Sequence, residues 1–236
     1  MTTTRKKCIR LAALAYIALS TIGACAAQSF NIDLEIEAGS AAVGAGPPSS
    51  SFGAASGSVG FWNPVNGGGP TIPVNLRDLD GNLTQVQMSA SGGTGSYGGF
   101  NNSLISGDYR LLMGDFADIG LPVTYRFTGL LPGAYRVFTY AVDPASTVPR
   151  DVTVSLPGAS VVDLHVNGML TGNVFSEGIT HSVHDLVLTG TNFDITVSGP
   201  EHHTRCNGFQ IVAVPEPTAV VTVVGGILVL LKGVRF

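Results

Sequence analysis

The sequence predicts an all-β chain, an antiparallel β-sandwich or jelly roll. Two observations carry that reading. Short runs of alternating apolar and polar residues recur along the body, separated by Gly, Pro, Asn and Asp, while helical periodicity is almost absent. Outside the body stand two apolar segments at the ends, an N-terminal signal helix and a C-terminal transmembrane helix.

The strands follow in order. Phe30, Ile32, Leu34 and Ile36 alternate with Asn31, Asp33, Glu35 and Glu37, which predicts a strand with one buried face and one exposed, strongly acidic face. Residues 38–60 are rich in Ala, Gly and Ser with Pro47-Pro48, a composition with little to bury, and read as a long flexible loop. Ile72 to Leu79 and Leu83 to Ala90 flank Asp80-Gly81, a pair suited to the positive φ values of a type I′ hairpin turn. Val123, Tyr125 and Phe127 alternate along the next strand. Leu131-Pro132-Gly133 then turns the chain into Tyr135 to Val142, and these two strands are expected to form the centre of a sheet. Further strands carry Val152 to Leu156, Val162 to Val166, Val183 to Leu188 and Phe193 to Val197, and Phe209 to Val214 closes the domain. Nine or ten strands at this spacing suit two packed sheets.

The ends say where the chain goes. Arg5, Lys6, Lys7 and Arg10 precede the apolar run Leu11 to Cys25, which closes on the small residues Ala24-Cys25-Ala26-Ala27; residues 1–27 read as a secretory signal peptide. Ile22-Gly23-Ala24-Cys25 resembles a lipobox, in which Cys25 would be acylated. At the other end Val214-Pro215-Glu216-Pro217 stops any incoming strand, because two prolines fix φ and remove two donors. An apolar stretch, Thr218 to Leu231, and the basic residues Lys232 and Arg235 follow. The order Pro-Glu-Pro, apolar helix, basic end resembles the PEP-CTERM sorting signal. That resemblance covers 214–236 and implies Pro215, Glu216 and Pro217 as recognition motif and Lys232 with Arg235 as cytoplasmic stop. It further implies an exosortase-like membrane processing enzyme as partner, membrane attachment through the tail before processing, and delivery to the cell surface or extracellular matrix. Lys232 and Arg235 are separated by two residues, where such tails often end in a tight arginine cluster.

Between the ends, residues 28–213 form one domain. The body carries 15 acidic residues and six arginines, a net charge of about −9, and every lysine lies in an end segment. Without a basic patch there is nothing to neutralise phosphates, so nucleic acid is not an expected partner. Of the three cysteines only Cys206 lies within the domain, which therefore has no internal disulfide and relies on its core; Cys206 is expected to be a buried small hydrophobe. The run Tyr125-Arg126-Phe127-Thr128-Gly129-Leu130, Pro132-Gly133-Ala134-Tyr135-Arg136-Val137 and Asn207-Gly208-Phe209-Gln210-Ile211-Val212 loosely resembles galactose-binding-type sandwich modules.

Candidate chemistry is sparse. Gly93-Thr94-Gly95-Ser96-Tyr97-Gly98 has the spacing of a dinucleotide fingerprint, yet Gly99, Phe100, Asn101 and Asn102 continue a loop where a helix would be needed. Asp78, Asp80 and Asn82 alternate as calcium ligands often do, but Gly81 precedes the third ligand, and the turn explains the same residues; no cofactor is expected, with calcium at this turn as the alternative. His181, His184, His202, His203 and Cys206 would make a zinc site only if their segments paired. His181 and His184 should face opposite sides of a strand, leaving these as surface polar residues. No G-x-S-x-G elbow or marked carboxylate pair occurs, so no catalytic residue is assigned. The expected function is a noncatalytic structural or carbohydrate-contacting module, meeting extracellular polysaccharide through loop aromatics: Trp62, Tyr97 or Phe100. The competing reading is a secreted hydrolase acting on polysaccharide.

Overall fold

The computed structural model describes residues 28–35, 46–66, 71–92, 95–99, 103–119, 122–142, 151–161, 163–167, 172–199 and 204–215. The signal segment and the tail from Glu216 onward, with Pro217, Lys232 and Arg235, lie outside them. Among the described residues no helix is long and apolar enough to cross a membrane.

The strands are β1 (Phe30–Glu35), β2 (Trp62–Asn66), β3 (Val74–Arg77), β4 (Leu83–Gly92), β5 (Gly95–Gly99), β6 (Asp115–Ile119) and β7 (Val123–Thr128). They continue as β8 (Gly133–Tyr140), β9 (Asp151–Ser155), β10 (Asp163–Asn167), β11 (His181–Leu188), β12 (Asn192–Ser198), β13 (Thr204–Cys206) and β14 (Gly208–Val214). One short helix, α1 (Asp108–Met113), interrupts them. A five-stranded sheet in the order β11-β8-β14-β1-β2 packs against a six-stranded sheet in the order β10-β9-β12-β7-β4-β3, and β13-β6-β5 make a small third sheet. The pairings are antiparallel except β1 with β2.

Alternation builds the core. Phe30, Ile32 and Leu34 of β1, Val137 of β8 and Phe209 and Ile211 of β14 meet Val86, Met88, Tyr125, Phe127, Ile195 and Val197 of the other sheet. The Phe209 ring lies 4.9 Å from Tyr125 and 5.7 Å from Phe127, both edge-on, which ties the two sheets face to face. Each such side chain contributes about 1.5–3 kcal/mol of burial. Cys206 sits fully buried in this core, as its size suggests, and burial pushes its thiol far above the ordinary range.

Four expectations are corrected. The strands β7 and β8 do not share a sheet: each is internal to a different one. The intervening turn carries the chain across the sandwich, braced by the Tyr135 hydroxyl donating to the Leu131 carbonyl at 2.7 Å and by Leu130 N–H on the Thr191 carbonyl. The Asp-Gly turn differs as well: Gly81 N–H bonds the Asp78 carbonyl, so Leu79 and Asp80 are central and only Gly81, at φ +83°, supplies the left-handed position. The acidic face of β1 is not exposed; Asn31 and Asp33 are fully buried and Glu35 nearly so. At Asn31 the reason lies in the glycine-rich segment, of which 46–61 is folded down over the strand, with Ala55 and Ser58 buried and Ser58 bonded to Asn31. Finally, Gly95–Gly99 is a strand paired with β6 and not a loop, and residues 100–102 after it lie outside the described ones.

Candidate functional site: a loop-built aromatic platform

Three segments without repeating pattern, 46–61, 103–114 and 172–180, converge on the outer face of the five-stranded sheet. Strand register decides what they meet. Opposite positions of antiparallel neighbours share a face, so His181 and Tyr140 stand side by side, as do Phe138, Gln210 and Asn31. This is the second apolar cluster of the molecule, with Trp62, Ile105, Leu112, Met113, Tyr140 and Val142 buried and Phe52, Tyr109, Phe138 and Phe175 half-buried above them.

A polar hub fixes the first segment to the sheet. The Gln210 side-chain oxygen accepts from the Ala55 N–H at 3.0 Å and from the Tyr140 hydroxyl, while its NH2 donates to the Asn31 side-chain oxygen at 2.9 Å. Asn31 also accepts from the Ser58 hydroxyl at 2.7 Å and donates to the Ser58 carbonyl at 2.9 Å, and the Tyr140 oxygen accepts from Ala54 N–H at 2.7 Å. Satisfied on every side, these groups tolerate burial that would otherwise cost about 1–3 kcal/mol each. Burial raises the Tyr140 phenol far above its usual range, so it remains a donor. A side chain at Gly53 would collide with the Gln210 amide, so the hub also demands a glycine there.

The other segments lock to one another. The Asp108 carboxylate accepts from Ser49 N–H at 3.0 Å and from the Ser49 hydroxyl, at the start of α1. The helix has only six residues and is held by burial of Leu112 and Met113 more than by propensity. Ser106 N–H donates to the Asn173 side-chain oxygen at 3.0 Å, and Asn173 returns a bond to the Ser106 hydroxyl at 2.9 Å. Thr180 closes the third segment, its hydroxyl accepting from Ser176 N–H and donating to the Ser176 carbonyl.

The product is a set of rings. Phe52, Tyr109 and Phe175, one from each segment, lie with centroids 4.7–5.0 Å apart, the Phe52–Tyr109 pair edge-on and Tyr109–Phe175 tilted by 36°. Beneath them Phe175 rests on Tyr140 and edge-on against His181. At the rim Leu104 and Val174 are more than half exposed. Tilted and edge-on rings, an apolar rim and the neighbouring Asp108 and Asn173 make a surface that can meet the C–H face of a sugar ring and its hydroxyls.

The nominated aromatics fare differently. Trp62 is a correction: it opens β2, is 3% exposed and packs inside the second cluster, because Ile105, Leu112 and Met113 of the second segment are gathered with it against the sheet. Tyr97 lies on β5 in the small sheet, and Phe100 falls outside the described residues. Phe52, Tyr109 and Phe175 were missed. Phe52 and Phe175 carry one sequence signal, an isolated aromatic within a stretch otherwise poor in large side chains, whereas Tyr109 sits beside the apolar run Leu111-Leu112-Met113 and has none.

Asp78, Asp80 and Asn82 form a self-sufficient turn. One Asp78 oxygen accepts from Asp80 N–H at 3.1 Å and Asn82 N–H at 2.9 Å, and the other faces the Asn82 amide at 3.4 Å. Among the described residues no three His, Cys, Asp or Glu side chains are grouped to hold a metal ion. His181 and His184 do diverge, to the outer and inner sides of β11, but neither is a surface residue; both are buried. His202 and His203 lie outside the described residues. Pro215 is exposed directly after β14. Along β8 and β11, an open depression of about 450 Å3 is crossed by the Arg136–Asp185 pair at 2.7 Å, whose exposed ends satisfy each other.

No family model and no curated protein matches the chain. Among solved structures, a Bacteroides uniformis β-glucuronidase is 14% identical with a TM-score of 0.47, over 79% of this chain but only 18% of that one. A family 35 carbohydrate binding module from Clostridium thermocellum is 11% identical over 61% of this chain and 99% of its own, with a TM-score of 0.31. One of the same family from Cellvibrio japonicus is 12% identical over 54% of this chain and 94% of its own, with a TM-score of 0.32. These identities and scores are too low to assign the chain a family or a ligand.

Proposed function

We propose that the chain is an exported cell-surface or extracellular-matrix protein, sorted by an exosortase-like system, whose body is a noncatalytic module contacting polysaccharide through its loop platform. The observation that carries the binding role is the convergence of Phe52, Tyr109 and Phe175 from three loops onto one half-exposed surface. Loops held on a rigid sheet are where binding surfaces are commonly placed. The acidic body and its lack of lysine suit a neutral polymer better than a polyanion.

Affinity electrophoresis through gels containing neutral bacterial polysaccharides tests the platform. Tyr109→Ala with Phe175→Ala removes two rings worth about 1 kcal/mol each, so binding should weaken about thirtyfold. Val174→Glu, at an exposed position, should weaken it without disturbing the packing beneath. Equal migration of all three proteins with and without polymer would end the binding role.

The sorting role rests on the tail, with support from the exposed Pro215 just beyond the last strand. Pro215→Ala with Pro217→Ala should leave the sandwich folded and the tail attached. The unaltered protein, made in a strain with the enzyme, should lose about 2 kDa, the mass of roughly 20 residues of membrane segment. Intact masses from that strain decide: a full tail on both proteins means a plain anchor.

A further inference from the structure

The two sheets each end in an edge strand on the same flank, β11 for one and β10 for the other, and the structure leaves a cavity of about 300 Å3 there. Leu164 and His165 of β10, Glu177 and Gly178 of the preceding turn, and Ser182 of β11 line it. Ser182 shares the side of β11 that carries the core residues Leu186 and Leu188, so its hydroxyl faces inward from the sheet edge. It is 1% exposed, and among the described residues its Oγ has no hydrogen-bond partner. A buried hydroxyl in that state is costly, and native proteins retain few. The turn that brings Glu177 to the cavity is fixed by the Gly178 N–H on the His181 carbonyl at 2.8 Å.

The lining sets the ligand class. Ser182 both donates and accepts, Glu177 accepts, and the His165 ring offers one group of each kind when neutral. Leu164 supplies an apolar wall. Among the described residues no arginine or lysine lines the cavity, and a phosphate or a uronic acid would meet the Glu177 carboxylate there. The volume sits at the small end of the range for small-molecule sites.

We propose that this flank pocket binds a neutral, hydroxyl-rich ligand of monosaccharide size, with Ser182 as the buried contact and Glu177 at the mouth. It is a second site: Ser182 faces the inner side of β11 while His181 and the platform lie on the outer side, although Glu177 and Gly178 share the 172–180 segment with Phe175, and its occupancy does not depend on the platform reading.

Amide chemical shifts of the full-length protein, titrated with methyl β-glucoside, methyl β-galactoside and methyl β-xyloside to about 10 mM, ten times a millimolar Kd, test it. Sodium glucuronate and inorganic phosphate serve as anionic probes. At least one neutral glycoside should give saturable shifts at Gly178 and Ser182, and both anions should give none. Ser182→Ala should weaken that binding about tenfold with no loss of melting temperature, since its hydroxyl contributes no internal bond. Glu177→Gln, at the exposed mouth, gives the same reading should the buried variant misfold. Tyr109→Ala should leave the flank shifts intact, which separates this pocket from the platform. No shift with any neutral glycoside, tighter binding of an anion, or unchanged affinity in the two pocket variants would each overturn the proposal, leaving Ser182 hydrated only.

Discussion

Gln210→Leu is expected to destabilise the protein by about 3–5 kcal/mol, although leucine matches glutamine in size. The substitution removes no apolar packing. It strands the Ala55 N–H, the Tyr140 hydroxyl proton and one bond to Asn31, all buried beneath the first segment, at about 1–3 kcal/mol for each orphaned group. For a domain of this size the melting temperature should fall by about 10 °C. The loss should also be local before it is global, because the hub is what fastens 46–61 to the sheet. Hydrogen exchange should show the Ala55 and Ser58 amides losing protection under conditions where Tyr125 and Phe127 keep theirs. A melting temperature within about 2 °C of the unaltered protein would mean that the hub is not what holds the segment.

The same hub shows why the fold was legible and the site was not. Alternation is a local signal, and β1, β4, β7, β12 and β14 follow it closely; the core of Phe30, Ile32, Leu34, Val86, Met88, Tyr125 and Phe127 could be read residue by residue. What alternation cannot say is what lies over a face. Asn31 looks solvent-facing in sequence, yet a segment rich in Gly, Ala and Ser bonds over it through Ser58, and that segment's own partners Gln210 and Tyr140 stand 155 and 86 positions from Ala55 and Ala54. Small side chains gave that segment little to bury by itself, but they let its backbone approach the sheet closely enough to hydrogen-bond. Trp62 was misplaced for the same reason, since the residues it clusters with, Ile105, Leu112, Met113, Tyr140 and Val142, are distant in sequence. Strands β5, β6 and β13 escaped because they are short or glycine-rich and gain their order from pairing. Phe52, Tyr109 and Phe175 come together through contacts between distant segments, Ser49–Asp108 and Ser106–Asn173 among them. The ends are the opposite case, because a signal segment and a sorting tail are read as linear strings and need no fold.

Acid should weaken the platform from below, through His181. Its ring is 5% exposed among Phe138, Tyr140 and Phe175, and burial pushes its pKa down from 6.5 to about 4. Thr180 spends its proton on the Ser176 carbonyl, so at 3.0 Å from His181 Nδ1 its oxygen accepts, which fixes the neutral Nδ1–H form. Above about pH 6.5 the ring is neutral folded and unfolded, and its contribution is complete. Between about 6.5 and 4 the unfolded chain takes up a proton that the native state refuses, so stability falls as pH falls, by about 3 kcal/mol in all at roughly 1.4 kcal/mol per unit. Other groups titrate nearby with their own signs. Burial raises the Glu35 carboxyl, so the native state takes its proton first and this term moves the opposite way, while Asp185, held low by Arg136, loses its exposed pairing only in stronger acid. The difference between two proteins isolates the ring. His181→Phe should keep the aromatic packing and flatten the decline between pH 6.5 and 4, so the two urea-unfolding curves converge above neutrality and separate progressively below it. Parallel declines in both proteins would show that the imidazole is protonated in place at little cost, and that acid acts elsewhere in the sandwich.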